Sequence, residues 1–591
     1  MNGTRTNNII HQSNPYNLCI DFGTSNTVIS YSDKNKILQI TDDTTGDILI
    51  PTTIYFDKDK IKSNLTADNL VYTEHYWIGS GANDLFNSFN SLNSFNSLNS
   101  LKLSQYYFYQ FKRFLGITSR SINLYKEFLD KFGLEYTVDE DTIYFYLECD
   151  DTPEIKIKLS IVDIIKLFFK ALYQIIKEKL GIIGQINTVI TCPAYFHDLQ
   201  RNQLKKAAED SGFIIGKIYN EPTAAAIYYI NKFKNNESNQ SNKFIIYDLG
   251  GGTLDTTVVE FHEENNTCEI IDIDGNNSLG GIDIDNIIIQ DIYLKYKIDE
   301  TNNKWKSKIR KYAEEIKIKL TYNTTHDVYL ESVPIKQINQ INQINIIDNL
   351  KISYTRHYFN SVINSLIDQM IIPIKNMYQK HETSNIIFIG GPTQIPLLQN
   401  KVNAIINSTV TTSDTLEKNN PSLYKTIVSQ GGCLLYKLIN DKSNFSLLDI
   451  IPMNIGISDQ NNKMVVMIEK NSKIPLTIEK TFSTSHDCQR TIDIEIYEGI
   501  NFDCISNTFI GSYKIVGIPP LAKGMILIKL LFQISYNGIL NISISGFKNP
   551  SDNSAKSFDF KMCENIKLIS NMMAKDILKK LLLGKKINSP G

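Results

Sequence analysis

Apolar segments with strand-like and helix-like patterns alternate along the first 440 residues. Residues 18–20 and 244–247 are short apolar runs, which are typical of buried strands. Residues 161–180 form a longer apolar run, and Ser160 with Asp163 three residues later predicts a capping box that begins a helix. The alternation of strands and helices predicts an α/β fold for this part of the chain.

The pattern changes near residue 453, where short strands separated by turns replace the alternation. Apolar and polar residues alternate from Thr491 to Ile496, as in a strand with one buried face. A succession of antiparallel strands predicts a β-sandwich. Strands are predicted over 464–469, 490–498, 512–515, 525–534, 539–545 and 558–562, followed by one amphipathic helix over 565–583.

Two low-complexity tracts interrupt the pattern. Residues 87–100 repeat Asn and Ser with single apolar residues, and residues 337–345 have the sequence QINQINQIN. Such tracts bury too little apolar surface to fold alone. We expect the first to be a loop insertion and the second to lengthen a surface hairpin. The polar N-terminal residues 1–15 are predicted to be a disordered tail.

The composition argues against several classes of protein. The 591 residues carry a formal net charge of −2, so bulk charge does not indicate a nucleic-acid partner. Charged residues such as Lys166 and Lys170 within 161–180 argue against a membrane span. The eight cysteines lack metal-site spacing, and the N-terminus lacks the apolar core of a secretion signal. We therefore expect a cytoplasmic protein with free thiols.

Two glycine hairpins carry the candidate chemistry. The first strand ends at Asp21 within the sequence DFGTS, and a later strand ends at Asp248 within DLGGGT. Glycines leave backbone N–H groups open to an anion, and carboxylates at strand ends can hold a cation. One such turn is more often an ordinary hairpin, but a second copy favours a site for phosphate and a cation.

The chain resembles the heat-shock 70 kDa (DnaK-type) chaperone family, whose ATPase domain has the actin and hexokinase architecture. Besides the two hairpins, four segments are similar to family motifs and keep the family order over most of the chain. They are VITCPAYFHDLQR at 189–201, YNEPTAAA at 219–226, IIFIGGPTQIP at 386–396 and LLDIIPMNIGI at 447–457.

The resemblance implies an α/β actin-like ATPase domain (a duplicated ribonuclease H-like fold), an all-β sandwich peptide-binding domain and a short C-terminal helix. The ATPase domain would cover 16–440 and contain both low-complexity insertions. An interdomain linker at 441–452 would lead to the sandwich at 453–562. Residues 563–591 would be a short remnant of the family's helical lid, which is much longer than this segment.

The resemblance also implies roles for individual residues. Lys112, Glu221, Asp248 and Thr253 would take part in phosphoryl transfer. Mg²⁺ would be held through waters by Asp21, Asp248 and Asp255, with K⁺ as a further candidate cation. The residues implied to contact ATP or ADP are Gly23, Thr24, Ser25, Asn26, Lys112, Gly250, Gly251, Gly252, Thr253, Gly280, Gly281, Glu314, Lys317, Thr321, Gly390, Gly391 and Pro392.

The adenine end of this implied site departs from the family pattern. Ile318 stands where the family usually has an arginine that stacks on the base, and Pro392 replaces a polar residue. The phosphate end keeps the family residues. We therefore expect a change in nucleotide affinity rather than in the chemistry of hydrolysis.

A further set of residues is implied to connect nucleotide state with peptide binding. Pro193 and Arg201 would relay the state of the ATPase site to the linker residues Leu447, Leu448 and Asp449, because an apolar linker can dock as an edge strand. The alternative for part of the implied peptide cleft is a purely structural sandwich core. The implied cleft residues are Ile455, Ile457, Phe482, Ser483, Ile492 and Ile494.

These residues predict an ATP-hydrolysing chaperone that binds apolar segments of unfolded polypeptides under the control of ATP. Its implied partners are extended apolar polypeptides, a J-domain co-chaperone and a nucleotide exchange factor, with no nucleic acid and no membrane. A second interpretation is a chaperone regulator, either an exchange factor or a holdase, with weak ATPase activity. A third is a small-molecule kinase of the same architecture, against which the linker and the sandwich argue.

Overall fold

The structure of the chain is a computed structural model that describes residues 16–34, 36–92, 106–132, 134–139, 142–233, 242–300, 303–336, 344–383, 385–406, 423–441, 444–548, 557–558 and 561–563. An α/β part made of two lobes is followed by an all-β part, as the hydrophobic pattern predicts. The predicted disordered tail and the predicted C-terminal helix lie outside these ranges. No helix within these ranges is long and apolar enough to cross a membrane.

The first lobe is built around a mixed sheet. Its strands are β1 (Leu18–Phe22), β2 (Asn26–Asp33), β3 (Lys36–Ile40), β4 (Ile50–Pro51), β11 (Asn187–Cys192) and β12 (Ile214–Asn220). They lie in the order β12–β11–β1–β2–β3, and β4 pairs with β2. Because β1 is parallel to β11, the first glycine hairpin lies at the carboxyl end of a parallel strand, where α/β proteins bind ligands.

Two small sheets and five helices complete this lobe. The small sheets consist of β5 (Thr53–Phe56), β6 (Tyr76–Ile78) and β7 (Tyr107–Tyr109), and of β8 (Tyr136–Val138), β9 (Ile143–Glu148) and β10 (Lys156–Ser160). The helices are α1 (Gly79–Leu92), α2 (Ile122–Phe132), α3 (Ile161–Leu180), α4 (Asp198–Asp210) and α5 (Glu221–Phe233). The predicted capping box is present at the start of α3.

Helix α1 corrects one prediction. It ends at Leu92, so residues 87–92 of the first repeat are helical and not part of a loop. Ala82 and Phe86 bury the earlier turns of this helix against the core of the lobe. Because a helix that has already formed is extended at little cost, the polar repeat can continue it. The rest of the repeat lies outside the described residues.

The second lobe repeats the hairpin arrangement of the first. Its central sheet contains β13 (Lys243–Leu249), β14 (Leu254–His262), β15 (Thr267–Asn276) and β20 (Ile386–Ile389). The strand before the second glycine turn, β13, is antiparallel to β14 and parallel to β20. The helices of this part are α6 (Gly281–Tyr296), α7 (Asn303–Tyr322), α8 (Arg356–Met370), α9 (Ile372–His381), α10 (Pro396–Ile406) and α11 (Leu423–Asn440).

Two small strand pairs extend the second lobe. They are β16 (Thr325–Leu330) with β19 (Leu350–Thr355), and β17 (Val333–Lys336) with β18 (Ile344–Ile347). The second low-complexity tract connects β17 to β18, which agrees with the predicted surface hairpin. Residues 337–343 of this tract lie outside the described residues.

Helices α5 and α11 cross at a very short distance. A Cβ atom at Gly431 would lie 1.8 Å from the carbonyl oxygen of Ala224. The residues Ala224–Ala226 are fully buried at this crossing. On the same turn of α11, Oγ of Ser429 is 2.8 Å from Oγ of Ser30 in β2. Small residues on both helices therefore allow α11 to pack on α5 and on the first lobe together.

The all-β part consists of two antiparallel sheets with a shared apolar core. One contains β22 (Asn454–Ser458), β23 (Met464–Ile468), β26 (Thr491–Gly499), β27 (Thr508–Val516) and β31 (Lys561–Cys563). The other contains β25 (Leu476–Ser483), β28 (Ile526–Ile534), β29 (Leu540–Lys548) and β30 (Ser557–Phe558). The single last strand predicted over 558–562 is therefore wrong, because β30 and β31 belong to different sheets.

The predicted linker is paired with the second lobe. It contains β21 (Ser446–Ile450), which lies parallel to β15 and places Leu447 opposite Cys268. On its other side β21 pairs with β24 (Lys473–Ile474), at the start of the all-β part. Leu447 and Leu448 are half-buried there. The apolar linker is thus docked as a strand between β15 and β24.

The helix crossing predicts the effect of one added methyl group. Gly431→Ala should lower the free energy of unfolding by about 3 kcal/mol, because the new Cβ would overlap a backbone oxygen that cannot move without displacing α5. Thermal unfolding without nucleotide would measure this loss of stability. Gly391→Ala, where an added Cβ meets no atom within 4 Å, is the control and should change stability by less than about 0.5 kcal/mol. Equal stability of both variants would contradict the close crossing.

Candidate functional site

A cavity of about 320 Å³ lies between the two lobes and contains most of the predicted ATP-contact residues. Both glycine hairpins, the start of α6, one face of α7 and the turn after β20 contribute to its wall. The predicted contact residues that line it are Gly23, Thr24, Ser25, Asn26, Lys112, Gly250, Gly251, Thr253, Gly281, Glu314, Lys317, Thr321, Gly390, Gly391 and Pro392.

The two glycine hairpins face each other across this cavity. A Cβ atom at Gly251 would lie 2.2 Å from Oγ of Ser25, and one at Gly252 would lie 2.7 Å from Oγ1 of Thr24. Gly280 packs behind the second hairpin, with its Cβ position 2.6 Å from the carbonyl oxygen of Gly251. Glycine is thus required at these positions for the hairpins to approach each other, and their backbones form a cradle of the kind that binds phosphates.

Four carboxylates and one lysine lie at the bottom of this cradle. Asp21, Glu221 and Asp248 line the cavity, and Asp255 is buried beside them. Nζ of Lys112 donates to Oε1 of Glu221 at 2.8 Å. Lys112 is itself buried, with Nζ less than 6 Å from the centres of two phenylalanine rings. The positive charge of Lys112 therefore lies among four carboxylates.

The pKa values of the three aspartates are raised by this excess of negative charge and by burial. Burial, followed by the charge of Glu221, raises the pKa of Asp21 to about 7 and that of Asp255 to about 7. The same two causes raise the pKa of Asp248. Lys112 acts in the opposite direction on all three but does not compensate. A site of this kind favours an additional cation.

The carboxylates fit a hydrated cation better than a directly bound one. Within the described residues, no group of three or more His, Cys, Asp or Glu side chains is placed to ligate a metal directly. Mg²⁺ usually keeps several of its waters when carboxylates hold it, and the contact through water with these aspartates stays a prediction. When bound, Mg²⁺ would neutralise phosphate charge.

Lys317 in α7 is held by neighbours that the sequence analysis did not consider. Its Nζ donates to Oδ2 of Asp285 at 2.7 Å and to the carbonyl oxygen of Gly281 at 3.1 Å. Burial raises the pKa of Asp285 to about 6, although Lys317 lowers it. This ion pair joins α6 to α7 at the cavity. The predicted contacts Glu314 and Thr321 lie on the same helix, and Ile318 between them is 49% exposed.

Arg113 joins the two lobes beside the phosphate cradle. It donates from Nη2 to Oδ2 of Asp283 at 2.6 Å and to the carbonyl oxygen of Gly252 at 2.9 Å. The sequence analysis assigned no role to Arg113. The feature of the sequence that could have indicated a role is the position of Arg113 next to Lys112. A basic pair, however, lies more often at the surface, and the partner Asp283 is 170 residues away in sequence.

A chain of hydrogen bonds connects the acidic cluster with the linker. Oδ1 of Asp255 accepts from the backbone N–H of Tyr195, which follows Pro193 in the segment after β11. Arg201 donates hydrogen bonds to two carbonyl oxygens of this segment, those of Phe196 (2.9 Å) and Ala194 (3.0 Å). Both contacts of Arg201 are buried, and the contact between Asp255 and Tyr195 is partly buried. The segment is therefore held between the acidic cluster and α4.

The chain continues from Arg201 to the linker. Nη2 of Arg201 donates to Oδ1 of Asn220 at 2.7 Å, and Nδ2 of Asn220 donates to both carboxylate oxygens of Asp449 at 3.1 and 3.2 Å. Asn220 immediately precedes Glu221, the partner of Lys112. The structure thus brings together the predicted coupling residues Pro193, Arg201 and Asp449, and adds Asn220, which the sequence analysis did not single out.

The all-β part contacts the first lobe through two buried acids. The backbone N–H of Asp198 donates to Oε2 of Glu498, and the N–H of Leu540 donates to Oδ1 of Asp198. Burial raises the pKa of Glu498 to about 8 and that of Asp198 to about 6. The charge of Arg201 lowers both pKa values, and the charge of Asp198 raises the pKa of Glu498. A second contact joins Arg120 and Glu495 at 3.0 Å.

The predicted peptide-contact residues lie far from the cavity, in the all-β part. Ile455, Ile457 and Ile494 are buried in the core shared by its two sheets. Phe482 and Ile492 are partly exposed and pack on the edge of that core, and Ser483 is exposed. In the docked arrangement three of these residues are therefore core residues, which is the alternative that the sequence left open.

The comparisons with known proteins agree with this geometry. A family model described as "Hsp70 protein" matches residues 104–574, which is more than half of the chain. The chain belongs to the Hsp70 family. This membership is consistent with an α/β part that carries two glycine hairpins and is followed by an all-β part.

The individual relatives of this Hsp70-family chain share about 30% sequence identity with it. "Chaperone protein DnaK" of Thermosipho melanesiensis is 30% identical over 397 residues, covering 64% of this chain and 63% of that protein. The DnaK of Thermosipho africanus is 29% identical (70% and 66% covered), and that of Methanothermobacter thermautotrophicus is 30% identical (63% and 61%). The matches therefore span less than two thirds of the length of each of these relatives.

The buried acids predict that docking of the all-β part depends on pH. The docked pKa of Glu498, about 8, lies above its ordinary value of 4.5, so docking takes up a proton. Docking should therefore be strongest below the ordinary pKa and weaken as the pH rises towards 8. Glu498→Gln should strengthen docking at neutral pH and reduce this dependence. Resonance energy transfer between one dye on the α/β part and one on the all-β part would measure the docked fraction at each pH.

Glu495→Gln is the matched control for this experiment, because Glu495 lies on the same strand and is partly exposed, where it pairs with Arg120 and accepts a hydrogen bond from the hydroxyl of Tyr497. It should weaken docking slightly and leave the shape of the pH profile unchanged. Identical pH profiles for Glu498→Gln and the wild type would show that Glu498 does not carry the dependence.

Proposed function

We propose that this Hsp70-family chain is an ATP-dependent molecular chaperone that binds exposed apolar segments of unfolded polypeptides. The single observation that carries the proposal is the chain of hydrogen bonds from Asp255, at the acidic cluster, to Asp449, in the docked linker. Such a connection is expected if the occupancy of one site changes the state of another. The relatives described above are named as chaperone proteins, which supports the same activity.

The proposal assigns the chemistry of ATP hydrolysis to the cradle. The backbones of the two hairpins would hold the phosphates, and Asp21, Asp248 and Asp255 would hold hydrated Mg²⁺, with K⁺ as a further candidate. Lys112 would stabilise the negative charge on the transferred phosphoryl group, and Glu221 with Asp248 would position the attacking water. Thr253, whose carbonyl oxygen accepts from Gly250 N–H, would close the second hairpin around the phosphate.

The proposal also assigns domains. An actin-like ATPase domain covers 16–440, the linker 441–452, and a β-sandwich substrate domain 453–562. In the docked arrangement the linker is paired with β15, and the isoleucines assigned to the peptide cleft are packed in the sandwich core. Release of the linker would free the sandwich to rearrange around a peptide. The partners proposed are a J-domain co-chaperone and a nucleotide exchange factor.

One observation favours a second candidate function, a chaperone regulator with weak ATPase activity. Ile455, Ile457 and Ile494 are less than 8% exposed, so the docked sandwich does not present them to a polypeptide. A regulator that acts through its docked state would need no open peptide cleft. Measurement of peptide binding with and without ATP separates the two functions, because only the chaperone binds peptide in a nucleotide-dependent way.

Removal of one lysine should separate hydrolysis from binding. Lys112→Ala should reduce single-turnover ATP hydrolysis by roughly two orders of magnitude, as the loss of a transition-state charge does, and should leave ATP affinity within a few-fold of the wild type. Lys425→Ala is the matched control, since Lys425 lines the same cavity but is exposed. Unchanged turnover in Lys112→Ala would contradict its assigned role.

Disruption of the linker strand should uncouple the two domains. Replacing both Leu447 and Leu448 by Asp removes apolar side chains that are half-buried against the second lobe, so β21 should no longer stay paired with β15. Each leucine contributes roughly 1.5–3 kcal/mol if fully buried, and less here. ATP should then no longer accelerate the release of a labelled apolar peptide, as measured by stopped-flow fluorescence.

Two outcomes decide this experiment. The wild type should release peptide about tenfold faster with ATP than with ADP, equivalent to ~1.4 kcal/mol of coupling. If it shows no nucleotide dependence, the chaperone proposal fails and the regulator is favoured. If the double variant keeps the wild-type acceleration, coupling does not pass through the linker strand.

A further inference from the structure

The second glycine hairpin is held in place by hydrogen bonds to its carbonyl groups. The carbonyl oxygen of Gly250 accepts from the N–H of Gly281 at 3.0 Å, and that of Gly251 accepts from the N–H of Ile282 at 2.8 Å. Both donors lie in the first turn of α6, which belongs to the same lobe as the hairpin. The first two peptide groups of the glycine run are therefore fixed within the second lobe.

The third peptide group of the run is held from the other lobe. The carbonyl oxygen of Gly252 accepts from Nη2 of Arg113, in the first lobe, at 2.9 Å. The side chain of Arg113 is only 7% exposed, and its Nε lies 2.8 Å from the position that a Cβ atom would take at Gly252. The orientation of this peptide group thus depends on a side chain of the first lobe and not on the second lobe alone.

Arg113 is anchored on both lobes. Its backbone lies in a single 3₁₀ turn between Phe111 and Phe114, whose side chains are fully buried in the core of the first lobe. Its guanidinium group forms a forked pair with Asp283, from Nη1 to Oδ1 at 3.2 Å and from Nη2 to Oδ2 at 2.6 Å. Oδ2 of Asp283 also accepts from the N–H of Gly280 at 2.7 Å, directly before α6. The guanidinium group is therefore fixed at the same end of α6 that holds the other two peptide groups.

A bound carbonyl oxygen fixes the direction of the N–H group in the same peptide. The peptide group is planar and trans, so its C=O and N–H bonds point in opposite directions. The N–H groups opposite the three bound carbonyls are those of Gly251, Gly252 and Thr253, and none of them donates a hydrogen bond within the described part of the chain. Gly251 and Thr253 line the cavity. Three N–H groups are thus left for an anion, and Arg113 orients the last of them, that of Thr253.

Gly252 does not fix this orientation by itself. Glycine has few steric restrictions on φ and ψ, so the peptide group that follows it can rotate at little cost. A hydrogen bond from a charged guanidinium group is stronger than one between neutral groups, and its fork geometry adds a fixed direction. Loss of Arg113 would therefore leave the N–H of Thr253 without a fixed direction, whereas the N–H groups of Gly251 and Gly252 would keep theirs.

We propose that Arg113 is a positioning residue for phosphoryl transfer, which binds the carbonyl oxygen of Gly252 and thereby aims the N–H of Thr253 at the transferred phosphoryl group while the two lobes are in contact. Preorganised donors of this kind stabilise the charge that develops in the transition state. Arg113 does not itself line the cavity, so it acts through Thr253. This inference rests on the proposed function, because it takes the cavity to be a site of ATP hydrolysis.

Binding of ADP alone and of ADP with aluminium fluoride to the full chain, both with Mg²⁺, tests this role. Aluminium fluoride takes the place of the transferred phosphoryl group, so its complex uses the N–H of Thr253, whereas ADP alone does not. Arg113→Met removes the donors but keeps an apolar stem beside Phe128, whose ring centre is 5.6 Å from the guanidinium carbon. This variant should weaken the aluminium fluoride complex about tenfold more than it weakens ADP binding, and should slow single-turnover hydrolysis by a similar factor.

Two further substitutions separate orientation of the hairpin from a simple tie between the lobes. Asp283→Asn keeps an oxygen for the N–H of Gly280 and removes the charge opposite Arg113, so it weakens the tie while Nη2 can still reach Gly252. It should change the ratio of the two affinities by less than about threefold, as expected for a partly exposed ion pair. Arg113→Gln, whose amide is too short to reach Gly252, should show the same selective loss as Arg113→Met.

Arg490→Ala is the control for the removal of an arginine, because Arg490 is exposed in the all-β part. Both affinities should stay unchanged in this variant. Retention of ADP binding by the Arg113 variants would show that their cavity is folded.

The outcomes distinguish this inference from the proposed function. If the Arg113 variants weaken ADP and the aluminium fluoride complex by the same factor, Arg113 only ties the lobes together and the inference is wrong. Unchanged affinities and hydrolysis in these variants would overturn it as well. In both cases the wild type still binds and hydrolyses ATP, so the proposed function stands. If the wild type binds neither ADP nor the aluminium fluoride complex, the proposed function is wrong and this inference with it.

Discussion

The close approach of the two glycine hairpins over four buried carboxylates is the constraint on which the structure depends. The hairpins come from β-sheets more than 200 residues apart in sequence, yet a single added carbon at Gly251 would overlap Ser25. The carboxylates beneath them share Lys112 and have raised pKa values because burial and mutual repulsion outweigh that one charge. The lobes are thus held around a site with an excess of buried negative charge.

Many of the polar groups around the site are paired, although Nε of Arg113 and Oδ1 of Asp285 have no hydrogen-bond partner among the described residues. An unpaired buried polar group costs more than a made hydrogen bond gains. Arg113, Arg201 and Asn220 each satisfy several buried acceptors at once, and Asp449 brings the linker into the same network. A change at the acidic cluster therefore cannot be absorbed locally, because the segment 193–196 binds Asp255 on one side and Arg201 on the other.

The contact between the two parts of the chain combines apolar and acidic groups. The linker strand adds backbone hydrogen bonds and two half-buried leucines beside β15, whereas the buried acids Asp198 and Glu498 are offset by Arg201 and by hydrogen bonds that do not compensate for their burial. The apolar pairing favours docking and the buried acids oppose it at neutral pH. Opposing contributions of this kind keep the docked and undocked states close in free energy, which a switch requires.

The sequence alone determined the order of strands and helices, the capping box before Ile161, the two phosphate hairpins and the apolar linker, because each depends on neighbouring residues and local periodicity. It also indicated which residues of the hairpins lie at one cavity. Only the tertiary structure decided that Asp283 pairs with Arg113, that Asp285 holds Lys317, that Asn220 reaches Asp449, and that Glu498 meets Asp198. It also showed that Ile455, Ile457 and Ile494 are packed in the docked core, and that Arg113 binds the carbonyl oxygen of Gly252. These contacts join residues separated by tens to hundreds of positions, and no local pattern records which distant side chains the packing of two lobes and a sandwich brings together.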